Sequence, residues 1–238
     1  MFKHNRSRSS PGRLLLLALA TLGATAAAAR AEQYWVAYEG NDLPENEGWE
    51  HITYNGEADR WIEDGALVID SLHDVHVEDL AKMERWMDPE PGELFVAEWR
   101  LLVEEGSTGY DAGVAIARSF EPGFVLFGVG PDRASNLLDN VSFDIEPGVY
   151  HTYRFESEDM IQFRFFIDEQ LTQEGRFLSP STNQSYIYFG DHADGWKSLS
   201  RWDYFRFGVF PEPSVSVLIL TALCASGRML RASRTRRA

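Results

Sequence analysis

Two histidines and three carboxylates crowd one stretch of this sequence, His73-Asp-Val-His76-Val-Glu-Asp79. Imidazole and carboxylate are ordinary ligands for a divalent metal. On an extended strand, residues three apart point to opposite faces, so the two imidazoles share a metal only if the chain turns there. A solvated loop accounts for the same residues without a ligand. A second oxygen-rich stretch, Asp191-His-Ala-Asp194-Gly, has the composition of a calcium loop and equally of a plain turn. Trp35, Trp49, Trp61, Trp86, Trp196 and Trp202 supply flat apolar rings of the kind that stack on sugars. The majority reading for such rings is core, and Trp99, inside an alternating run, is the clearest case. Trp196, beside Asp194-Gly195, is the ring expected at the surface and the first choice for ligand binding. No Ser-His-Asp order, phosphate-binding loop or dinucleotide fingerprint occurs.

These residues need a scaffold, and the pattern around them is that of strands. Aromatics form 13% of the 238 residues, with 19 Gly and 10 Pro, which leans toward β-structure with many turns. Between 32 and 210 no helical period is sustained. Short alternating runs punctuated by Gly, Pro, Asn and Asp predict an all-β chain, a sandwich or barrel. Phe95, Ala97, Trp99, Leu101 and Val103 share one face, and Glu98, Arg100 and Glu104 the other. Tyr150–Asp168 predicts a hairpin that turns at Ser157-Glu158-Asp159. It sets His151, Tyr153 and Phe155 on the same sheet side as Ile161, Phe163, Phe165 and Ile167. Further strands are expected at Ala66–Asp70, Gly113–Arg118, Phe124–Val129, Tyr186–Phe189 and Asp203–Val209. Phe124–Val129 and Tyr186–Phe189 are nearly all apolar, as strands buried on both faces are. One short helix is expected over Val77–Trp86, from the stripe Leu80, Met83 and Trp86.

The charge is unevenly spread. All 37 acidic residues but only 12 of the 22 basic ones lie in 32–213, a net charge of −25 for that stretch. Such a surface excludes nucleic-acid binding, which needs a basic face. It also disfavours anionic polysaccharide unless cations bridge it, so a neutral glycan is the expected ligand if there is one. The single Cys, Cys224, excludes a disulfide framework and a cysteine-rich zinc site.

The basic residues concentrate at the two ends. Residues 1–31 combine a basic start through Arg13, the apolar run Leu14–Ala20 and small residues ending Ala29-Arg30-Ala31. That is the build of a signal peptide cut by signal peptidase before Glu32, and the run is shorter than the roughly 20 residues that span a bilayer. The other end reads Pro211-Glu212-Pro213, then the apolar run Val215–Gly227, then Arg228, Arg231, Arg234, Arg236 and Arg237. In that order, at the chain end and behind a signal peptide, these parts resemble the PEP-CTERM sorting signal. The resemblance implies that residues 211–238 insert transiently into the membrane as a hydrophobic helix and are recognised by an exosortase-type enzyme. The Arg cluster stays on the cytoplasmic side. An ordinary C-terminal membrane anchor is the alternative. Both place 32–210 outside the cytoplasmic membrane, at the cell surface, outer envelope or extracellular matrix.

The middle region carries a second resemblance. Gly148-Val-Tyr-His151-Thr-Tyr-Arg154 followed by Gln162-Phe-Arg-Phe-Phe-Ile-Asp168 is similar to the hairpin shared by laminin-G-like modules and laminarinase-type hydrolases. Phe189-Gly190-Asp191 and Trp202-Asp-Tyr-Phe-Arg-Phe-Gly208 fit the same pattern. The likeness implies a concanavalin-like (laminin-G-like) jelly roll, an antiparallel β-sandwich, over most of 32–210. It departs at Glu169, where the family's turn has Gly. It also implies a structural calcium near the last strand, with Asp203 as the carboxylate ligand. Laminarinase-type enzymes carry their two carboxylates in a Glu-x-Asp-x-x-Glu string on one strand, and this sequence has none. Glu146 follows Asp144, but no Glu stands at the required offset and Pro147 breaks the strand. The expectation is therefore a non-catalytic surface or exopolysaccharide-associated binding module for glycan. The alternatives are a structural matrix protein, or a hydrolase with an unfamiliar carboxylate pair.

Overall fold

Alternation along the strands determines what this chain buries. The computed structural model describes residues 35–52, 58–72, 82–87, 93–107, 110–118, 123–178, 185–191 and 197–210. All but Trp35 belong to a unit that begins at Val36. The strands are β1 (Trp35–Tyr38), β2 (Glu50–Ile52), β3 (Asp59–Glu63), β4 (Ala66–Asp70), β5 (Lys82–Trp86), β6 (Leu94–Gly106), β7 (Ala112–Arg118), β8 (Gly123–Val129), β9 (Arg133–Asn136), β10 (Val141–Asp144), β11 (His151–Ser157), β12 (Gln162–Ile167), β13 (Gln170–Arg176), β14 (Tyr186–Asp191) and β15 (Ser198–Phe210). A 3-10 turn at Pro44–Glu47 is the one helical element among the described residues.

Two sheets result. The first runs β13-β12-β11-β6-β15-β4-β3, with β1 also on β15; the second runs β10-β9-β8-β7-β14-β5-β2. The ladders along both paths are antiparallel. This is the sandwich expected from the alternating runs, and the expected strands fall inside β4, β6, β7, β8, β11, β12, β14 and β15. The hairpin forms with Tyr153 opposite Ile167 and Phe155 opposite Phe165, which puts these residues on one sheet side as expected.

The core is aromatic and joins the sheets ring to ring. Phe127 of β8 stacks on Phe165 of β12, centroids 4.0 Å apart. Phe189 of β14 stacks on Phe205 of β15 at 4.8 Å. Trp99 stacks on both Tyr153 and Phe205 within the first sheet. Each such pair adds about 0.5–1.5 kcal/mol beyond the area it buries. Trp49 and Trp202 are also core.

The helix expected over Val77–Trp86 is not formed in its described part. Lys82–Trp86 is strand β5, paired on one side with β14 and on the other with β2. One isolated helical turn fixes many dihedrals for few hydrogen bonds. A strand there satisfies the backbone groups along β14 instead. Met83 is wholly buried, which is the one apolar contact the helical stripe and the strand have in common. Residues 77–81 lie outside the described residues.

Two tight turns hold registers. Asp64-Gly65 links β3 to β4 with both φ positive, the preferred pair for a two-residue hairpin loop. Asp168-Glu169 links β12 to β13 with φ 48° and 65°, so the turn does demand the conformation that a family Gly would supply more cheaply.

Candidate functional site

Met83, Ile187, Phe189, Val114 and Ile116 point into the core. Their sequence neighbours therefore face outward from the second sheet. The ladder registers arrange those neighbours in rows. One row is Glu50, Glu84, Tyr188, Ala115 and Leu126 across β2, β5, β14, β7 and β8. The next is Trp86, Tyr186, Ala117 and Phe124. A third holds Ile52, Lys82, Gly190, Gly113 and Gly128. Glycine and alanine on β7 stand low, and the large side chains of β14 and β5 rise beside them as a shoulder.

That shoulder combines rings with charge. Tyr186 and Tyr188 stack at 5.9 Å. The Lys82 ammonium lies 4.3 Å from the Tyr188 ring centroid and 5.2 Å from that of Tyr186. It also pairs with the Glu84 carboxylate at 2.7 Å. Burial first, then Tyr186 and Glu84, push the Tyr188 phenol far above its usual range, so it stays a neutral hydroxyl. Trp86 is 52% exposed, the most open large apolar side chain among the described residues. Gly48, two residues before Glu50, caps the 3-10 turn with φ 84°, and a Cβ there would come near only the Arg85 guanidinium.

The outer face of the first sheet is different in kind. Many of its charges pair with one another. Arg201 binds Glu104 and Glu63, Arg206 binds Glu39, and Glu156 sits between Arg154 and Arg164. Two hollows open there. One, of about 460 Å³, is lined by Glu156, Glu158, Arg164, Glu174 and neighbours. The other, of about 370 Å³, is lined by Glu98, Thr152, Arg154, Asp168, Glu169 and Tyr204. The Tyr204 ring is covered by the Arg206 guanidinium at 4.2 Å, and its hydroxyl donates to Glu98 at 3.0 Å. Trp61, 38% exposed, stands toward the edge of this sheet opposite Val68.

The residues singled out from sequence fall as follows. Trp196 and the His73–Asp79 cluster lie outside the described residues, as do Pro211, Glu212, Pro213 and the five arginines of the C-terminal tail. Asp203 occupies the bulge of β15 between Trp202 and Tyr204, and its carboxylate accepts from Arg100. Among the described residues no three acidic, His or Cys side chains gather to hold a metal. Asp191 is wholly buried at the end of β14. One of its oxygens accepts from the Ser71 hydroxyl, the other from the Ser198 hydroxyl at 2.8 Å. A second buried carboxylate, Asp111, accepts from Ser107 at 2.9 Å. Burial above all, with Asp111 and Asp70 nearby, raises the Asp191 carboxyl to about 7 against the pull of the two serines. Trp86 is the exposed ring that the helical reading misplaced. Read with period 2, Lys82-Met-Glu-Arg-Trp86 already separates Met83 from Lys82, Glu84 and Trp86.

Scanned against known protein families, the sequence matches none. No curated protein matches it either. Solved structures do share its fold. An endo-β-galactosidase of Clostridium perfringens that releases GlcNAcα1-4Gal aligns over 74% of this chain and 62% of its own, with 16% identity and a TM-score of 0.50. A Bacillus licheniformis β-glucanase aligns over 74% and 98%, with 12% identity and a TM-score of 0.45. The Emp47p carbohydrate recognition domain aligns over 68% and 88%, with 16% identity and a TM-score of 0.40. This chain spans only 18% of a sialidase that also aligns. At these identities the likeness is one of fold, a concanavalin-like jelly roll. It corrects the expectation that the chain is no enzyme. An endo-β-galactosidase shares this sandwich, so a missing Glu-x-Asp-x-x-Glu string rules out one arrangement of carboxylates and not catalysis.

Proposed function

We propose that this protein engages a glycan on the outer face of its second sheet, with Trp86 as the stacking ring and Glu50 as the exposed polar group beside it, the buried Glu84 and its partner Lys82 lying behind them. The observation that carries the reading is the half-exposed Trp86 ring, set in one row with Tyr186, diagonal to the exposed Glu50 and two residues along β5 from Glu84. Sugars are bound by such pairings, an apolar ring face against the C–H face and a few polar groups that fix orientation. Among the described residues the first sheet pairs many of its charges with one another, covers its Tyr204 ring with Arg206 and exposes Trp61 less than Trp86 is exposed.

A glycan panel titrated into the full-length protein tests this. Trp86→Ala should weaken binding by about 2 kcal/mol, roughly thirtyfold, if the ring is a central contact. Folding should persist, because the side chain is at the surface. Unchanged affinity in Trp86→Ala would move the site elsewhere. The same panel, read for newly released reducing ends, decides whether the bound glycan is also cut. Glu50 and Glu84 are cross-strand neighbours and would be the carboxyl pair to examine for acid and nucleophile roles.

Export accompanies the reading. Residues 1–31 act as a removable signal and 211–238 as the sorting segment, which leaves the sandwich at the cell surface or in the matrix. Intact mass of the surface form should lack both basic ends, and finding Arg236 in it would leave a simple anchor.

A further inference from the structure

The polar rim beside Trp86 is not electrically balanced. Lys82 is committed to Glu84 at 2.7 Å and to the faces of Tyr188 and Tyr186. Glu50, the direct cross-strand partner of Glu84, is exposed and has no cation beside it among the described residues. Two carboxylates and one ammonium therefore share this corner, and one negative charge is uncompensated. The nearest open ring is Trp86, two residues along β5 and so diagonal to Glu50, within reach of one sugar unit. The neighbouring ring faces show what this surface accepts, because the cation lying on them is an ammonium, that of Lys82.

We infer that the glycan recognised on this face carries a protonated amine, an amino sugar whose ammonium sits between the Glu50 carboxylate and the Trp86 ring. The inference rests on the glycan reading given above and narrows it to a substrate class. An ammonium gains from both partners at once, by ion pairing with the carboxylate and by attraction to the ring's negative face. The net charge of −25 over 32–213 favours the approach of a polycation to the whole domain. An N-acetylated sugar would keep the ring contact and lose both charge terms.

The experiment titrates full-length protein with glucosamine oligomers, with their N-acetylated counterparts and with glucose oligomers of equal length, at low and high salt. The amine form should bind about tenfold tighter than the acetylated form at low salt, and the difference should shrink at high salt. Glu50→Gln should cut the preference about fivefold, the upper range for an exposed ion pair. Glu158→Gln changes the overall charge equally but lies on the other sheet, and it should keep the preference. Trp86→Ala should weaken all oligomers, and the amine form most, because it loses the attraction to the ring face as well as the stacking. Equal losses of preference in Glu50→Gln and Glu158→Gln would overturn the site, leaving only diffuse attraction. A neutral oligomer that binds as tightly as the amine would overturn the substrate class while the glycan reading stands. Failure of every oligomer to bind would sink the glycan reading itself.

Discussion

Replacing Asp191 by Asn should turn a stability that falls with pH into one that is nearly flat. Asp191 has no solvent exposure and is held by Ser71 and Ser198, which tie the end of β14 to the end of β4 and the start of β15. Ser198 further donates its backbone N–H to the Ser71 hydroxyl at 3.0 Å, and Ser71 donates its own to the Ser198 carbonyl at 3.0 Å. Burial lifts the carboxyl to about 7, from a value near 4 in the unfolded chain. The folded protein thus keeps a proton between those two values that the unfolded chain has already released. The stability this gives is fully present below about pH 4, is lost as pH rises through the window, and is gone above about pH 7. The slope is about 1.4 kcal/mol per pH unit inside the window. Between pH 5 and pH 8 the wild type should therefore lose about 3 kcal/mol through this one group. Asn keeps the shape, accepts from Ser198, donates to Ser71 and does not ionise. Urea unfolding followed by tryptophan fluorescence at pH 5, 6, 7 and 8 reads the effect. The advantage of Asp191→Asn over wild type should grow by about 3 kcal/mol across that range. A constant difference would refute the account of Asp191 as a buried acid that is neutral below pH 7.

Other substitutions test the turn and the packing. Glu169→Gly should raise stability by about 1 kcal/mol in the same denaturation assay, because Glu169 holds a φ of 65° that costs any side chain but glycine; no gain would mean that the strand ends, not the turn, set the register. Gly175→Ala should destabilise by about 1–3 kcal/mol, since a Cβ there would enter the Phe163 ring that lies against it and force a repacking of the core; a neutral result would show that Phe163 moves freely. Trp99→Ala should cost about 3–5 kcal/mol and be the most damaging of the set, as its ring touches Tyr153, Phe165 and Phe205 together; a loss under 1 kcal/mol would deny it that central place.

The sandwich was legible because its central strands must bury one face, and burial imposes alternation. Phe95–Val103 and the Tyr150–Asp168 hairpin show it residue by residue, each with its apolar residues on one face. The outer strands were harder to read. β9 and β10, Arg133–Asn136 and Val141–Asp144, are four residues each and largely polar, so they alternate too briefly to stand out from turns. β5 was misread for a physical reason: Leu80, Met83 and Trp86 lie three apart, which a helix would stack on one stripe. What settles β5 as a strand is the unpaired edge of β14, a long-range demand that local sequence does not display. The same long-range pairing brings Glu50 of β2 beside Glu84, 34 positions away, and no motif announces that meeting. Trp86 stood among the candidate rings, but the helical reading hid its exposure, and Trp196 was favoured for its turn-like neighbours.

The central claim is a location, and oxidative footprinting of aromatic rings tests it most directly. Full-length protein is exposed to hydroxyl radicals with and without a glycan found to bind, and the oxidation of each tryptophan is read by peptide mass. Trp86 and Trp61 begin 52% and 38% exposed on opposite sheets, so both should react in the free protein. The account predicts that bound glycan protects Trp86 strongly and leaves Trp61 unchanged. Protection of Trp61 or of the Tyr204 hollow, with Trp86 still oxidised at its free rate, would contradict it.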